Sequence, residues 1–180
     1  MNYFDNFHSQ LALPYLETHK ELIQEIFKTL EQYFGLIKNS NQKLIDLGSG
    51  DGRIVIYSGL NFGIQSIGIE INEALIKESK DKLKSIKKDG AFNKKQYRNV
   101  IIKFGDIFRQ NLEKFDYIYT YSLPTMHKYL NHVFLTVKKD SIIISHKYQL
   151  KGFDLYLKLE HELIHKLEKE KLTTFFYKKI

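Results

Sequence analysis

The sequence predicts an α/β protein: an open, mostly parallel sheet flanked by helices and closed at one edge by an antiparallel hairpin. Three observations predict it. Short apolar runs of strand character alternate with segments of helical periodicity. A glycine-rich turn, within LIDLGSGDGRIVI from Leu44 to Ile56, follows the first of those runs and opens a helix. The segment 151–180 then abandons the alternation, placing leucines at every second position with no helix between them.

The elements follow in order. From Thr18 to Leu36 the positions Leu22, Ile23, Ile26, Phe27, Leu30 and Phe34 recur at helical spacing. Thr18 with Glu21 three residues on forms a capping-box start, and Gly35 is a stop signal. KLIDL reads as a buried first strand and IQSIGIE as the second. The stretch between them, GRIVIYSGL, is assigned to a helix despite its β-branched residues, because two parallel strands need a crossover. Asn72 to Lys88 is a helix with Leu75, Ile76 and Leu83 on its apolar side. The insert DGAFNKKQYR is a loop leading to the third strand, NVIIKF. FDYIYTY is the fourth strand, Thr125 to Thr136 a helix, and SIIIS the fifth strand. Leu155, Leu157, Leu159, Leu163 and Leu167 mark one arm of the hairpin, and LTTFFYKKI is the other. One domain over 1–180 is expected: an N-terminal segment and helix (1–40), a cofactor-binding core (41–150) and the C-terminal β-hairpin (151–180).

Composition narrows the function. The chain has 180 residues, 43% of them hydrophobic, and no cysteine, which excludes thiol chemistry and cysteine-ligated metal. No secretory signal and no membrane span are seen, so a cytoplasmic protein is expected. The histidines show no ligand spacing, and no metal is expected. The formal net charge is +7, and of 28 basic residues only Arg53, Arg98 and Arg109 are arginine. Lysine suits bidentate recognition of phosphate or guanine less well than arginine does. The lysine-dense segment from Lys77 to Arg98 therefore reads first as a solvated helix face, with nucleic-acid binding as the second reading. Oligomeric state is not encoded in any motif; a monomer is the simplest expectation.

The acids around the glycine turn name a ligand. Ligands of open α/β sheets bind beyond the carboxyl ends of the strands. Asp46 ends the first strand, two residues before Gly48, and Asp51 lies within the turn. Carboxylates there repel a pyrophosphate and suit a cation. Glu70 ends the second strand, where an acid can accept from both ribose hydroxyls. Gly105-Asp106 follows the third, where an acid can accept from an exocyclic amine such as that of adenine. An amine, a ribose and an adenine without phosphate describe S-adenosylmethionine.

The set D-x-G-x-G-x-G, then Glu70, then Gly105-Asp106 resembles the class I, seven-stranded S-adenosylmethionine-dependent methyltransferases. That resemblance implies a Rossmann-like seven-stranded sheet, mostly parallel, with the hairpin at its C-terminus. It implies that the turn residues Asp46, Gly48, Ser49, Gly50, Asp51 and Gly52 hold the cofactor. Glu70 with Ile71 and Asp106 with Ile107 would hold the adenosine, and Tyr121 would border the cofactor where the amine enters. Within the class, PYLETHKELI, DLGSGDGRIVI, GIEIN, YTYSLP and SHKYQLKGF resemble, in that order, the archaeal broad-specificity protein-lysine methyltransferases and their mitochondrial relatives that modify the ATP synthase c-subunit and the adenine nucleotide translocase. The family implies that the segment Pro14 to Thr18 folds over the methionine end of the cofactor, with Tyr15 and Thr18 in contact. Glu17 stands where family members often carry a second proline, so two roles are open for Thr18: helix cap or cofactor contact.

The substrate question turns on Tyr121, Ser122, Leu123 and Pro124. Methyltransferases of base amines resemble one another in an [DN]-P-P-[FY] motif here, which this chain lacks. What remains is an aromatic, largely apolar mouth suited to a lysine stem, with tyrosine able to hold a cationic amine through its ring face. Tyr119 reads first as a strand residue. Protein-lysine methylation by direct in-line displacement is thus the expected activity, on a protein partner with accessible lysines; methylation of RNA or another nucleic acid through the Lys77–Arg98 segment is the alternative. A free lysine has a pKa near 10.4, so only about one in a thousand is neutral near pH 7.4, and a dry aromatic mouth beside a positive sulfur lowers that pKa. No dedicated general base is expected, and His146 reads as a structural histidine satisfied by backbone.

Overall fold

The computed structural model describes residues 16–166 and 171–180. Among them seven strands form one sheet in the order β3-β2-β1-β4-β5-β7-β6. The strands are β1 (Lys43–Leu47), β2 (Gln65–Glu70), β3 (Val100–Phe104), β4 (Tyr117–Thr120), β5 (Ile142–His146), β6 (Leu157–Lys166) and β7 (Lys171–Lys179). The first five run parallel. β7 is antiparallel to both β5 and β6. The helices are α1 (Lys20–Tyr33), α2 (Arg53–Tyr57), α3 (Glu73–Lys88), α4 (Lys94–Arg98) and α5 (Pro124–Leu135). The order of strands reverses at β1, which has β2 on one side and β4 on the other, so the crevice for a ligand opens above the carboxyl end of β1.

Two apolar layers hold the sheet. On one face α1 and α2 bury Ile26, Phe27, Leu30 and Val55 against Leu44, Ile144 and Phe176. On the other, α5 buries Leu130, Val133 and Phe134 against Ile45, Ile118 and Ile143. The strands covered on both sides are the ones that read as unbroken apolar runs in sequence.

Four details depart from the sequence reading. First, Thr18 is not a helix cap: α1 starts at Lys20, its N-cap is His19, and no side chain caps it. The Thr18 hydroxyl is bonded instead to the Tyr119 hydroxyl at 2.8 Å. Second, the crossover helix after the glycine turn is α-helical only to Tyr57 and continues as a π-helical turn over Ser58–Phe62. Third, the insert expected to be a loop contains α4, started by a complete capping box between Asn93 and Gln96. Fourth, the leucine alternation does not keep one face. Leu155 is 94% exposed and precedes β6. A bulge between Leu159 and His161 then shifts the register. Leu157 and Leu159 join the α5 layer, whereas Leu163 packs into the α1 layer. Leu167 lies outside the described residues, as does Tyr15. No helix among the described residues is long and apolar enough to cross a membrane.

Candidate active site

β1 delivers Asp46 to the crevice, and the chain then turns through Gly48, Gly50 and Gly52, with φ of 85°, 51° and 76°. These lie in the left-handed region that side chains with a Cβ rarely adopt. The turn is fastened to β2. The amides of Gly48 and Ser49 both donate to the Ile69 carbonyl at 2.9 Å. Glu70 adds three bonds: its Oε2 accepts from the Gly50 amide, and its Oε1 from the amides of Ile71 and Asn72, each at 2.8 Å. Glu70 is therefore a brace of the turn before it is anything else. A carboxylate offers about four lone-pair positions, so one on Oε2 remains for a ligand hydroxyl.

A residue without a place in the motif explains how the turn lies so close. Gly68 sits in β2 beneath it, and a Cβ added there would stand 2.5 Å from Ser49 Oγ and 2.7 Å from Ser49 Cβ. A glycine inside an apolar strand is the available sequence signal for such a close approach. Gly68→Ala is expected to lift the turn and weaken S-adenosylmethionine binding by more than about tenfold, roughly the worth of one strong hydrogen bond, in calorimetry. An affinity equal to wild type in a folded Gly68→Ala protein would show that the turn does not need its seat on β2.

The acids of the turn have separate fates. Asp46 is 3% exposed and has no hydrogen-bond partner among the described residues. Burial first, then the charges of Glu70 and Asp51, push its carboxyl well above the usual range. Asp51 is equally buried, which alone would raise it. Arg53, through Nε and Nη2 at 2.9 Å each, and the Lys82 ammonium of α3 hold it well below the usual range instead. Its carboxylate is committed to these two cations, so the structure brings Asp51 into the wall of the turn.

Arg53 also reaches the segment ahead of α1. Its Nη1 donates to the Thr18 carbonyl at 2.9 Å, and its Nη2 pairs with Glu17 at 3.1 Å. Together with the Thr18–Tyr119 bond, this ties residues 17 and 18 to the glycine turn and to β4. Tyr119 is 3% exposed, its phenol pushed far up by burial, and it belongs to the core rather than to an open mouth.

The remaining candidates stand where the strands end. Asp106 caps a 3₁₀ turn (Ile107–Arg109) by accepting from the Phe108 amide at 2.8 Å, and lies 3.5 Å from Arg109. Ile71, after β2, is 57% exposed. Past β4, Tyr121 stands edge-on to His146 with ring centres 4.8 Å apart, and 6.3 Å from Tyr148. Ser122 is turned inward: its hydroxyl accepts from Thr120 at 3.1 Å and its carbonyl from His127 Nε2 at 3.1 Å. Leu123 is the N-cap of α5 and Pro124 its first residue. A cleft of 720 Å³ opens from Pro124 and Tyr148 past Lys128, Lys147 and Lys151. His146 is held by a side chain and not by backbone, against the expectation from sequence. Its Nδ1 is bonded to the Thr174 hydroxyl at 2.7 Å, and its Nε2 has no partner among the described residues.

Comparison with known proteins agrees with this geometry. Residues 46–156 match the ANTKMT methyltransferase domain. The chain is 25% identical over 145 residues to a protein-lysine N-methyltransferase of Saccharolobus islandicus (strain REY15A), covering 79% of this chain and 81% of that protein. It is 37% identical over 73 residues to a lysine N-methyltransferase of the ATP synthase c-subunit from Caenorhabditis elegans, a match spanning 39% of this chain and 37% of that longer enzyme. Among solved structures, an RNA methyltransferase from Salinibacter ruber in complex with S-adenosyl-L-homocysteine superposes with a TM-score of 0.71 over 91% of this chain and 94% of that one, at 23% identity, which speaks for the fold alone. The family match begins at Asp46 and runs through the turn, Glu70, Asp106 and the Tyr121 mouth to Tyr156, the whole span in which the carboxyl ends of β1 to β5 converge; the chain belongs to the ANTKMT methyltransferase family.

Proposed function

We propose that this protein is an S-adenosylmethionine-dependent protein-lysine N-methyltransferase. The observation that carries the reading is the aromatic mouth of Tyr121 and Tyr148, backed by the buried ring of His146, at the carboxyl ends of β4 and β5, one strand over from the glycine turn. Its two relatives named above are lysine methyltransferases, which supports the same substrate class.

The residues present fit the cofactor. Asp46 is a buried acid with no partner among the described residues, suited to a cation; an added Cβ at Gly48 would meet nothing within 4 Å, so the backbone there is open to a ligand. Glu70 keeps one lone pair for a ribose hydroxyl, and Ile71 with Asp106 offers an apolar face beside an acceptor for adenine. Ser49, Gly50, Gly52 and Ile107 complete that cradle, and Thr18, held by Tyr119 and Arg53, borders it. When bound, S-adenosylmethionine would supply a sulfonium methyl whose carbon bonds to the amine lone pair in line as the C–S electrons leave on sulfur. The protein's work is placement. Tyr121 holds the lysine amine by its ring face, Leu123 and Pro124 line its stem, and the low-polarity mouth favours the neutral amine.

The far half of the basic segment is badly placed for the alternative. α3 starts at the carboxyl end of β2 and runs back for 16 residues, about 24 Å. Lys87, Lys88, Lys94 and Lys95 therefore stand near the amino end of β3, at the opposite end of the sheet from the mouth. Incubation of the protein with radiolabelled S-adenosylmethionine and a cell extract tests the function. Label that survives nuclease and is lost to protease is the expected result; label lost to nuclease would reverse the assignment.

A further inference from the structure

A hydrogen-bonded file of four side chains runs from the surface of α1 to the mouth. Glu25, on α1 and 54% exposed, lies 2.6 Å from His165 Nδ1 on β6. His165 Nε2 lies 3.0 Å from the Thr174 hydroxyl on β7, and that hydroxyl lies 2.7 Å from His146 Nδ1 at the end of β5. His146 is 1% exposed, and beside it stands Tyr121. The bulge in β6 makes the file, since it moves His165 onto the α1 face of the hairpin, the face that carries Thr174 and Phe176.

The direction of the file follows from its ends. A carboxylate only accepts, so His165 Nδ1 carries a proton toward Glu25. With that the only proton on the His165 ring, its Nε2 is an acceptor and the Thr174 hydroxyl donates to it. Thr174 oxygen in turn accepts from His146 Nδ1. Burial pushes His146 down to about 3, so this ring is neutral and its single proton is spent on Thr174. His146 Nε2 is left as a bare lone pair with no donor among the described residues. Orphaned buried polar atoms are rare and call for a reason.

We propose that His146 Nε2 accepts an N–H of the substrate lysine amine, with Glu25, His165 and Thr174 as positioning residues that fix its tautomer. The proposal rests on the protein-lysine reading. A neutral amine has two N–H bonds and one lone pair. Fixing one N–H at His146 and the body of the amine against Tyr121 leaves the lone pair a restricted direction in which to attack. As the nitrogen gains its new bond it becomes cationic and its N–H a stronger donor. The acceptor therefore holds the transition state more tightly than the ground state, which is the condition for raising kcat. No proton passes to the histidine; the product ammonium loses its proton to water.

The first test is imidazole ¹⁵N NMR on the cofactor-free wild-type protein, which does not depend on activity. His146 is expected as the Nδ1–H tautomer, changing toward Nε2–H in Thr174→Val, where the acceptor for Nδ1 is gone. An Nε2–H tautomer in the wild type would mean that the file runs the other way and would overturn the proposal. The second is kinetic, using the protein substrate found by labelling. His146→Phe, and separately Thr174→Val, is expected to lower kcat about tenfold, the worth of one hydrogen bond, with the affinity for S-adenosylmethionine unchanged. Thr174→Val preserves shape, so it answers even where His146→Phe folds poorly. A wild-type kcat in Thr174→Val despite the tautomer change also overturns the proposal. If extract proteins take no label at all, the function reading fails while the tautomer measurement still stands.

Discussion

An Asp46→Asn protein is expected to melt at a higher temperature than wild type at neutral pH and yet to bind S-adenosylmethionine about 10- to 100-fold more weakly. The two effects share one cause. Asp46 is buried without a hydrogen-bond partner among the described residues, beside Glu70 and Asp51, so its ionised form is costly in the absence of a cation. Its carboxyl is raised by folding, which fixes the sign of the linkage. The wild-type protein is penalised as pH rises above the ordinary carboxylate range, because the unfolded chain then ionises more readily than the folded one. The neutral amide removes that penalty, so the stabilisation should appear at neutral pH and fade as pH falls below the ordinary range. The same substitution removes the charge that a cationic ligand needs, and a hydrogen bond to a charged group is worth about 1.5–3 kcal/mol. Thermal melts from acid to neutral pH and calorimetry on both proteins read the two effects. A melting temperature that falls with the substitution would show that Asp46 is structural. Asp51 has the opposite sign: its low carboxyl, held by Arg53 and Lys82, contributes stability that is lost as pH falls toward its folded value.

Tyr121→Ala should cut methyl transfer to protein by about 100-fold or more, since misplacing a reacting amine by about 1 Å costs on that order, while leaving cofactor affinity nearly unchanged. The control is a quadruple change at the far end of the sheet: Lys87→Gln, Lys88→Gln, Lys94→Gln and Lys95→Gln. It should leave the rate near wild type at both low and moderate salt. Were the substrate a nucleic acid bound at that patch, each lost phosphate contact would flatten the salt dependence by a slope of about 0.7 to 0.9. A quadruple mutant that loses most activity beside a Tyr121→Ala protein that keeps it would sink the lysine assignment.

The strands and the cofactor end are legible because the sequence states them locally. β1 is the KLIDL run residue for residue, and its glycine turn and acids sit next to one another in the chain. What escapes a reading of the sequence depends on partners far away. Thr18 reads as a helix cap until Tyr119, 101 positions on, is seen to take its hydroxyl. Glu70 reads as a free ligand acid until three backbone amides are found on it. The file from Glu25 to His146 joins residues up to 140 positions apart and depends on a bulge that no glycine announces. The capping box of α4 is different: it is written in the chain as Asn93 and Gln96, but the lysines around it give the insert the look of a loop.

The bulge has one more effect, on how the molecule meets its own copies. β6 ends the sheet, and a terminal strand offers a row of amides and carbonyls on which another chain can template itself. A straight ten-residue ribbon ending in Ile164, 46% exposed, and Lys166 would be an adhesive margin. The kink near its middle denies any incoming strand a continuous partner, and Lys158, Glu160, Glu162 and Lys166, all exposed, spread charge of both signs along what is left. The irregularity that aims His165 inward thus also makes the outer margin of the sheet a poorer template for another strand.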